Sequence, residues 1–490
     1  KLMRLEATPH FSNYIDALLA LYDKRPQASS GWHQSLLKLI RSNARKKLKV
    51  FQSYLHFSNG FFQNDVLASN TAGLVWKVEE AEYQIKDGGE TAHIVFDRLN
   101  LVGMLKTDTL RIIQTSGTFD VATKQWEGAE GRIDWPLDQM KEVYSTLDKY
   151  KIDLRKSHFA TQNASLTYPE YLGGRSLDGA LHVRIKRGVK KSKASYPRFE
   201  SAEGQIITSD MGEGLHYEGG FKLWGSKVYG FGKGDQRAII RQENPAGGLA
   251  FVAKAKHFII SPGEKISGEQ VEVVIYPFGQ DSICHPSVNI KYNIPEKELH
   301  LARGKRGSDR NPFYDSYHQL NIETEKISWE IPQNNLLINP KKKEIGNGQP
   351  KVNLTSTEYF DIQQFRRLQN VADYHPVASL KGLSDKLKTK TIDALTFARL
   401  LNPRFDISSI QSLLYELVAG GFINYDKDAE KLHLLPKVFH SADANMNKID
   451  YDNIRIVSVS DQTNAEVRGG NNDLIANDVK VLEFSDRQKV

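Results

Sequence analysis

The sequence predicts a mainly β chain: an elongated β-solenoid or β-taco-like sheet body with an N-terminal helical element and a C-terminal, winged-helix-like helical insertion. Three observations lead there. Runs that alternate apolar and polar residues recur roughly every eight to twelve positions between Leu74 and Leu337. Helical periodicity is confined to the two flanks. A polar Gly/Pro/Lys stretch, residues 339–355, separates the β body from the second helical region. The expected segments are 1–73 (helical), 74–338 (β body), 339–356 (linker), 357–440 (helical module) and 441–490 (resumed β segment).

Residues 10–57 read as helical. Tyr14, Ile15, Leu18, Leu19 and Tyr22 share a face, and Pro26 with Ser29, Ser30 and Gly31 breaks the pattern. From Trp32 a second helix aligns Leu36, Leu37, Ile40, Ala44, Leu48, Phe51 and Leu55, with Arg41, Arg45, Lys46 and Lys49 mostly elsewhere. A basic amphipathic helix can lie on an acidic membrane surface, but packing on the neighbouring domain is the expected use.

Within the body, Leu181, Val183 and Ile185 alternate with His182, Arg184 and Lys186, and Ile327, Trp329 and Ile331 flank Ser328 and Glu330. Leu299 and Leu301 flank His300 in the same way. One helix is expected inside the body over residues 136–149, where Pro136 suits a first helical position. Residues 204–234 are dense in glycine, interleaved with Tyr217, Phe221, Trp224, Tyr229 and Phe231. Glycine inside strands marks bulges, bends or close backbone approach, as at a solenoid corner. The aromatics there could stack on sugars or lie along lipid chains, with core packing the expected role.

Beyond the linker, residues 359–369, 376–387 and 391–401 read as helices, the third ended by Pro403. Asp406 caps a fourth, whose buried stripe is Ile407, Ile410, Leu413, Leu414 and Leu417, and Gly420-Gly421 stops it. Residues 422–426 and 432–435 form a hairpin, and strands resume at 453–459 and 479–484. The helix, turn, helix, hairpin order resembles a winged-helix module, a fold often used on DNA. On DNA the second helix of the pair needs basic or amide side chains toward the groove. Here its exposed face offers Ser408, Ser409, Gln411, Ser412 and Glu416, and the wing carries Asp426, Asp428 and Glu430 against Lys427 and Lys431. A structural or protein-binding use is therefore expected, and nucleic acid is not an expected partner.

The chain has 490 residues and a formal charge of +7. The excess is local: 184–193 holds six basic residues, 41–49 five, and 303–310 four against one acid. Without those segments the rest is net acidic. Arg184, Lys186, Arg187, Lys190, Lys191 and Lys193 form the candidate contact for an anionic surface, set against the plainer reading of a solvated lysine-rich hairpin.

A single cysteine, Cys284, excludes an intramolecular disulfide and any multi-cysteine metal site. The mean hydropathy is −0.48, and no apolar run is long enough to span a bilayer. The opening residues lack the basic start, apolar run and cleavage site of a signal peptide, so a piece of a longer protein is expected. Zinc-protease, nucleophile-elbow and phosphate-loop patterns are absent. Gly230, Gly232 and Gly234 lack the phosphate-loop spacing and run toward a strand, and Ser226 stands where Gly225 would need a following Lys. Cys284 and His285, with Asp315, Ser316, Tyr317 and His318, are the tightest candidate constellation. Neighbours on a strand point to opposite faces, so a buried thiol and structural histidines are expected. No cofactor, metal or catalytic residue is assigned.

The order of features over residues 74–172, with Thr115–Phe119, Trp126-Glu127-Gly128, Gly131–Trp135 and Tyr150–Leu154, and later Ser282–Pro286 and Asn311–His318, resembles large uncharacterised cell-envelope proteins of Bacteroidota. The β portion is similar in character to the β-taco and jelly-roll domains of the OstA-like lipopolysaccharide-transport family. The resemblance implies a periplasmic or envelope location, envelope protein partners, and no catalytic residues. The expected function is a non-catalytic envelope scaffold or a lipid- or glycolipid-handling β protein. The alternatives are a carbohydrate-active or carbohydrate-binding β-helix, and nucleic-acid binding through the basic patches and winged helix.

Overall fold

The computed structural model describes residues 8–41, 45–87, 92–137, 140–172, 174–186, 195–202, 207–232, 236–245, 247–261, 263–305, 307–340, 351–369, 374–451 and 453–484. The protein is mainly β, with helices at its N-terminal side and in a C-terminal insertion, and its strands form antiparallel ladders, as Leu74–Asp87 does with Ala92–Leu105 and Lys265–Phe278 with Asp281–Asn293. The chain divides into two compact units, Lys1–Gln205 with Phe221–Tyr229, and Ile206–Gly220 with Gly230–Val490.

The first unit opens with helices α1 (Thr8–Lys24), α2 (Ser29–Arg41) and α3 (Arg45–Asn64); a short 3-10 turn at Pro26–Ala28 separates the first two. Their apolar faces meet around Trp32, which is fully buried, stacks on Tyr14 at 5.5 Å and donates its indole N–H to Ser58 Oγ at 2.9 Å. Strands β1 (Val66–Ser69), β2 (Leu74–Asp87), β3 (Ala92–Leu105), β4 (Asp108–Asp120) and β5 (Gln125–Ala129) follow. Then come β6 (Arg132–Asp134), β7 (Tyr144–Leu147), β8 (Lys149–Asp153), β9 (His158–Thr167), the short α4 (Pro169–Leu172), β10 (Ser176–Arg184) and β11 (Arg198–Ser201). The helical layer covers this sheet: Phe61 lies 5.1 Å from Tyr83, and Phe57 lies 5.6 Å from Phe119.

The helix expected over residues 136–149 is replaced by strand: Tyr144–Leu147 pairs with both Arg132–Asp134 and β9, and Lys149 opens β8. Val143 and Leu147, four residues apart, imitate a helical stripe. Both are buried, and the pairing on both edges of β7 outweighs local propensity.

The second unit continues with β12 (Ile207–Asp210), β13 (Leu215–Trp224, whose last four residues belong to the first unit), β14 (Lys227–Phe231, whose first three residues belong to the first unit), β15 (Ala238–Glu243) and β16 (Leu249–Ala255). Next are β17 (His257–Ser261), β18 (Lys265–Phe278), β19 (Asp281–Asn293), β20 (Glu298–Arg303), β21 (Phe313–Asp315), β22 (Leu320–Glu323), β23 (Lys326–Glu330), β24 (Asn335–Ile338) and β25 (Lys351–Ser356). Long strands here change ladder partner along their length within one large sheet. In β18, residues 272–275 pair with β16, whereas residues 265–268 pair with β17. The ladder skips at Gly268/Val271, and Gln270 takes φ +53 there, so the strand bends at a bulge. In β19, Val288–Asn293 pairs with β20 and Ile283–Cys284 with β21.

Of the expected linker 339–356, residues 341–350 lie outside the described residues, and its end is β25, an interior strand between β22 and β29 rather than a connector. Lys351, Asn353 and Thr355 disguise it, but Val352 and Leu354 on the alternate positions are buried.

An insertion separates β25 from its ladder partner β29. It comprises α5 (Ile362–Gln369), α6 (Pro376–Leu387), β26 (Thr391–Asp393), α7 (Ala394–Leu401), α8 (Gln411–Ala419), β27 (Ile423–Asp426), β28 (Lys431–Leu434) and α9 (Pro436–Asn445). Its sheet order β26-β28-β27 makes the module winged-helix-like. It owns a core that includes Leu380, Phe397, Leu414 and Val438. At its base Asn453 accepts from Phe360 N–H at 2.8 Å and returns its amide to Phe360 O at 2.9 Å. Asp406 accepts from Ser409 N–H at 2.8 Å, so the expected cap holds the 3-10 turn Ser408–Ile410 that leads into α8 rather than α8 itself. Strands β29 (Ile454–Val459), β30 (Ala465–Val467), β31 (Leu474–Ala476) and β32 (Val479–Phe484) complete the unit; β30 and β31 are short and polar-flanked, and sequence periodicity does not reveal them.

Both interiors are filled by side chains. Trp76, Trp126, Phe96 and Phe119 are fully buried in the first unit, and Phe251, Phe258, Tyr292 and Trp329 in the second.

Candidate functional site

The glycine-dense stretch resolves into packing. A Cβ on Gly230 would stand 2.6 Å from the Tyr217 ring, and one on Gly220 would stand 2.4 Å from the Phe231 ring. Glycine lets these aromatics lie flat on the neighbouring backbone. Tyr217 also donates to Gly220 O at 2.5 Å and accepts from Phe231 N–H at 3.1 Å. Gly232, part of the loop-like motif, approaches Gln236 O so closely that a Cβ would sit 2.1 Å away. These glycines are structural.

Of the candidate anionic contacts, Arg184 ends β10 with its side chain exposed. Lys186 is engaged locally: its backbone N–H donates to Asp108 Oδ2 at 2.6 Å, its ammonium donates to Ser195 Oγ at 3.2 Å, and it lies over Tyr196 at 5.0 Å. Arg187, Lys190, Lys191 and Lys193 lie outside the described residues. In the helical patch the same holds for the side chains of Arg45, Lys46 and Lys49.

A cleft of about 1450 Å³ in the second unit gathers the most chemistry. Its floor is β17–β19, with Glu269, Glu272, Cys284 and Asn289; one wall is the 307–309 turn, and the other is the module's wing with Tyr425, Asp426, Lys427 and Asp428. Lys256 pairs with Asp428 across the mouth, and Glu272 is shared by Arg237 at 3.5 Å and Lys254 at 3.4 Å. The lining carries five carboxylates, Glu269, Glu272, Asp309, Asp426 and Asp428, against three cations, Arg237, Lys256 and Lys427.

The wall is built from the sheet outward. His285 is 1% exposed and lies opposite Val273 on the buried face of β19, with Phe313 4.6 Å away. Burial lowers its pKa to about 3, so the ring is neutral. Its Nδ1 accepts from Ser287 N–H at 3.0 Å, which leaves the proton on Nε2 to donate to Asn311 O at 2.7 Å. Asn311 donates its amide to Asn424 Oδ1 at 2.6 Å, and Ser308 donates its hydroxyl to Tyr425 O at 2.6 Å. Ser287 donates to Asp309 Oδ1 at 2.5 Å. The histidine thus anchors the 307–312 segment on which the wing rests. Tyr415 of α8 packs beside Gly307, while Ser408, Ser409, Gln411, Ser412 and Glu416 stay exposed as the sequence indicates.

Cys284 and His285 project to opposite faces, and burial pushes the thiol up to about 11, with Glu272 adding to the shift. A thiol so shifted is a poor nucleophile. Asp315 is fully buried and accepts from Tyr317 N–H, His318 N–H and His318 Nδ1, the last at 2.7 Å. His318 Nε2 donates to Asn472 O at 2.9 Å. Desolvation opposes protonation of His318, but the Asp315 hydrogen bond and charge outweigh it and raise its pKa. Both ring nitrogens are committed to holding a loop. Among the described residues no three His, Cys, Asp or Glu side chains converge as a metal site.

The anchoring role of His285 was not legible in sequence, because Asn311 and the wing residues lie 26 and more than 100 positions away. Comparison with protein-family models, with curated proteins and with solved structures finds no match for the chain.

Proposed function

We propose that the chain is a non-catalytic scaffold for assembly in a bacterial envelope, with the winged-helix-like module as its protein-binding element. One observation carries the reading: the module is an inserted, separately cored body whose wing is held by the 307–312 segment of the sheet and whose open helix face is uncharged to acidic. A phosphate-facing element needs the reverse charge. The side-chain-filled interior favours a scaffold over lipid passage, which needs an apolar groove. The resemblance to envelope proteins of Bacteroidota supplies the compartment.

Envelope fractionation of the native protein, with a photocrosslinker at exposed Leu387 and Leu400 of the module, tests the reading. Discrete protein adducts in the envelope fraction are expected. Recovery elsewhere, or salt-sensitive binding to DNA or RNA, overturns it.

The cleft favours a second reading, carbohydrate binding, because Glu269, Glu272, Asp309 and Asp426 converge with Arg237, Lys256 and two tyrosines, the set that hydroxyl-rich ligands engage. Calorimetric titration with polysaccharides of the envelope decides it: binding abolished by Glu269→Gln supports the cleft, and heat unchanged by that substitution removes it.

A further inference from the structure

We propose that the outer edge of β32 is a strand-addition site, and that its partner is another protein presenting an extended apolar, basic, apolar segment. The inference extends the assembly reading but stands on residues the module does not contain.

The argument begins with one row of side chains that crosses five strands on a single face. Phe313 faces Ile322, Ile322 faces Leu354, Leu354 faces Ile456, and Ile456 faces Leu482. The first three are at most 1% exposed, Ile456 is half-buried, and Leu482 is 57% exposed. Phe484, two residues along on the same face, is 65% exposed. A core row that ends on exposed Leu and Phe is one strand short of cover. The second sheet branch thins in the same way, from Trp329, Leu336 and Val467, all buried, to half-buried Leu474.

The backbone says what kind of cover fits. Among the described residues β32 pairs with β29 alone, so its other side presents main-chain donors and acceptors to a further strand. Lys480 sits at a bulge, because Val457 faces Val481 and Ser458 faces Val479, which limits the usable edge to residues 481–484.

Charge selects the partner's sequence. Arg455 faces Glu483 and pairs with it at 3.1 Å, so that row ends on a carboxylate at the open edge, which a cation on the next strand complements. Opposite Leu482, Glu483 and Phe484 the partner therefore carries apolar, Lys or Arg, apolar. The same edge of a second copy does not supply this pattern. In a two-fold antiparallel pairing of residues 481–484 with themselves, facing residues lie on one face, so Glu483 meets Val481 or another Glu483, and neither is a cation.

The test uses the full chain and a labelled ten-residue peptide with Val-Lys-Val at its centre, flanked by alternating Thr and Val. Fluorescence anisotropy reads affinity, and amide hydrogen exchange reads residues 481–484. Binding with slowed exchange at those amides is expected. The Val-Glu-Val peptide is expected to bind at least about threefold more weakly. Leu482→Lys, with its fold verified by circular dichroism, is expected to weaken the Val-Lys-Val peptide about tenfold. Equal affinity for both peptides, or no protection at residues 481–484, overturns the proposal. So does a dimer that Leu482→Lys dissociates, which assigns the edge to a second copy. Because only β32 is read, failure here leaves the module-based assembly reading to its own experiment.

Discussion

The first unit closes its apolar rows with helices, whereas the second leaves a row open at β32. In the first, Phe57 and Phe61 of α3 lie on Phe119 and Tyr83, and Trp32 closes the layer above them. In the second, Leu482 and Phe484 extend a buried row with nothing over them among the described residues. The two regions have similar strands and differ in what lies on the apolar face. Covered aromatics there contribute to stability, while uncovered ones remain available for binding.

The largest expected effect breaks the covered side. Trp32→Ala removes a buried indole with its Ser58 hydrogen bond and is expected to cost about 3–5 kcal/mol, read by urea denaturation with a probe in the first unit. A loss under about 1 kcal/mol would mean that the helices cover the sheet without stabilising it.

Next is an acid limb in the second unit. His285 has a folded pKa lowered to about 3, so between its unfolded pKa near 6.5 and about 3 the unfolded chain binds a proton that the folded chain refuses. Stability is fully present above about pH 6.5 and falls by roughly 1.4 kcal/mol per pH unit toward pH 3 from this group. Denaturation midpoints at pH 7, 5.5 and 4 measure it, and His285→Gln is expected to flatten the limb.

A smaller effect distinguishes the module from the sheet. Asn453→Ala, at the two-bond clasp with Phe360, is expected to cost about 1–2 kcal/mol and to raise protease sensitivity at the module base before the β strands.

His318 reverses the sign of the pH argument. Its pKa is raised by Asp315, so its contribution is present below the unfolded pKa and fades as pH rises through the folded value. His318→Gln is therefore expected to destabilise more at pH 5.5 than at pH 8.5, in the same denaturation series.

The smallest effect sharpens the open side. Leu482→Ser is expected to change stability by less than about 0.5 kcal/mol, because the side chain is mostly exposed already. A large loss would show that the edge is structural.

The β body was legible wherever one sheet face is buried, as at Leu181, Val183 and Ile185, because alternation follows from the pleat. Module helices were legible for a similar reason: Pro376 starts α6, Asp406 begins the next turn, and Gly420 and Gly421 stop α8. Residues 136–149 misled because an apolar spacing of four also fits a strand flanked by a turn. The strand Lys351–Ser356 was hidden behind Lys351, Asn353 and Thr355 on its polar positions. Of the cleft, Cys284 and His285 were visible as reactive residue types, but their separation to opposite faces and the wing opposite them depend on chain segments far away in sequence.

By itself the sequence determined the mainly β class, the position of the helical flanks, the polar character of α8 and the glycine positions where aromatics cross the backbone. These follow from period, caps and side-chain size, which act within a few residues. Only the tertiary structure decided that β18 and β19 each change ladder partner along their length, that β25 and β29 on either side of the inserted module pair directly, that His285 anchors the wing's support, and that the row from Phe313 ends uncovered, among the described residues, at Leu482. Those outcomes depend on pairing between distant strands, where the stabilisation comes from burial and main-chain hydrogen bonds that nearly any alternating segment can provide.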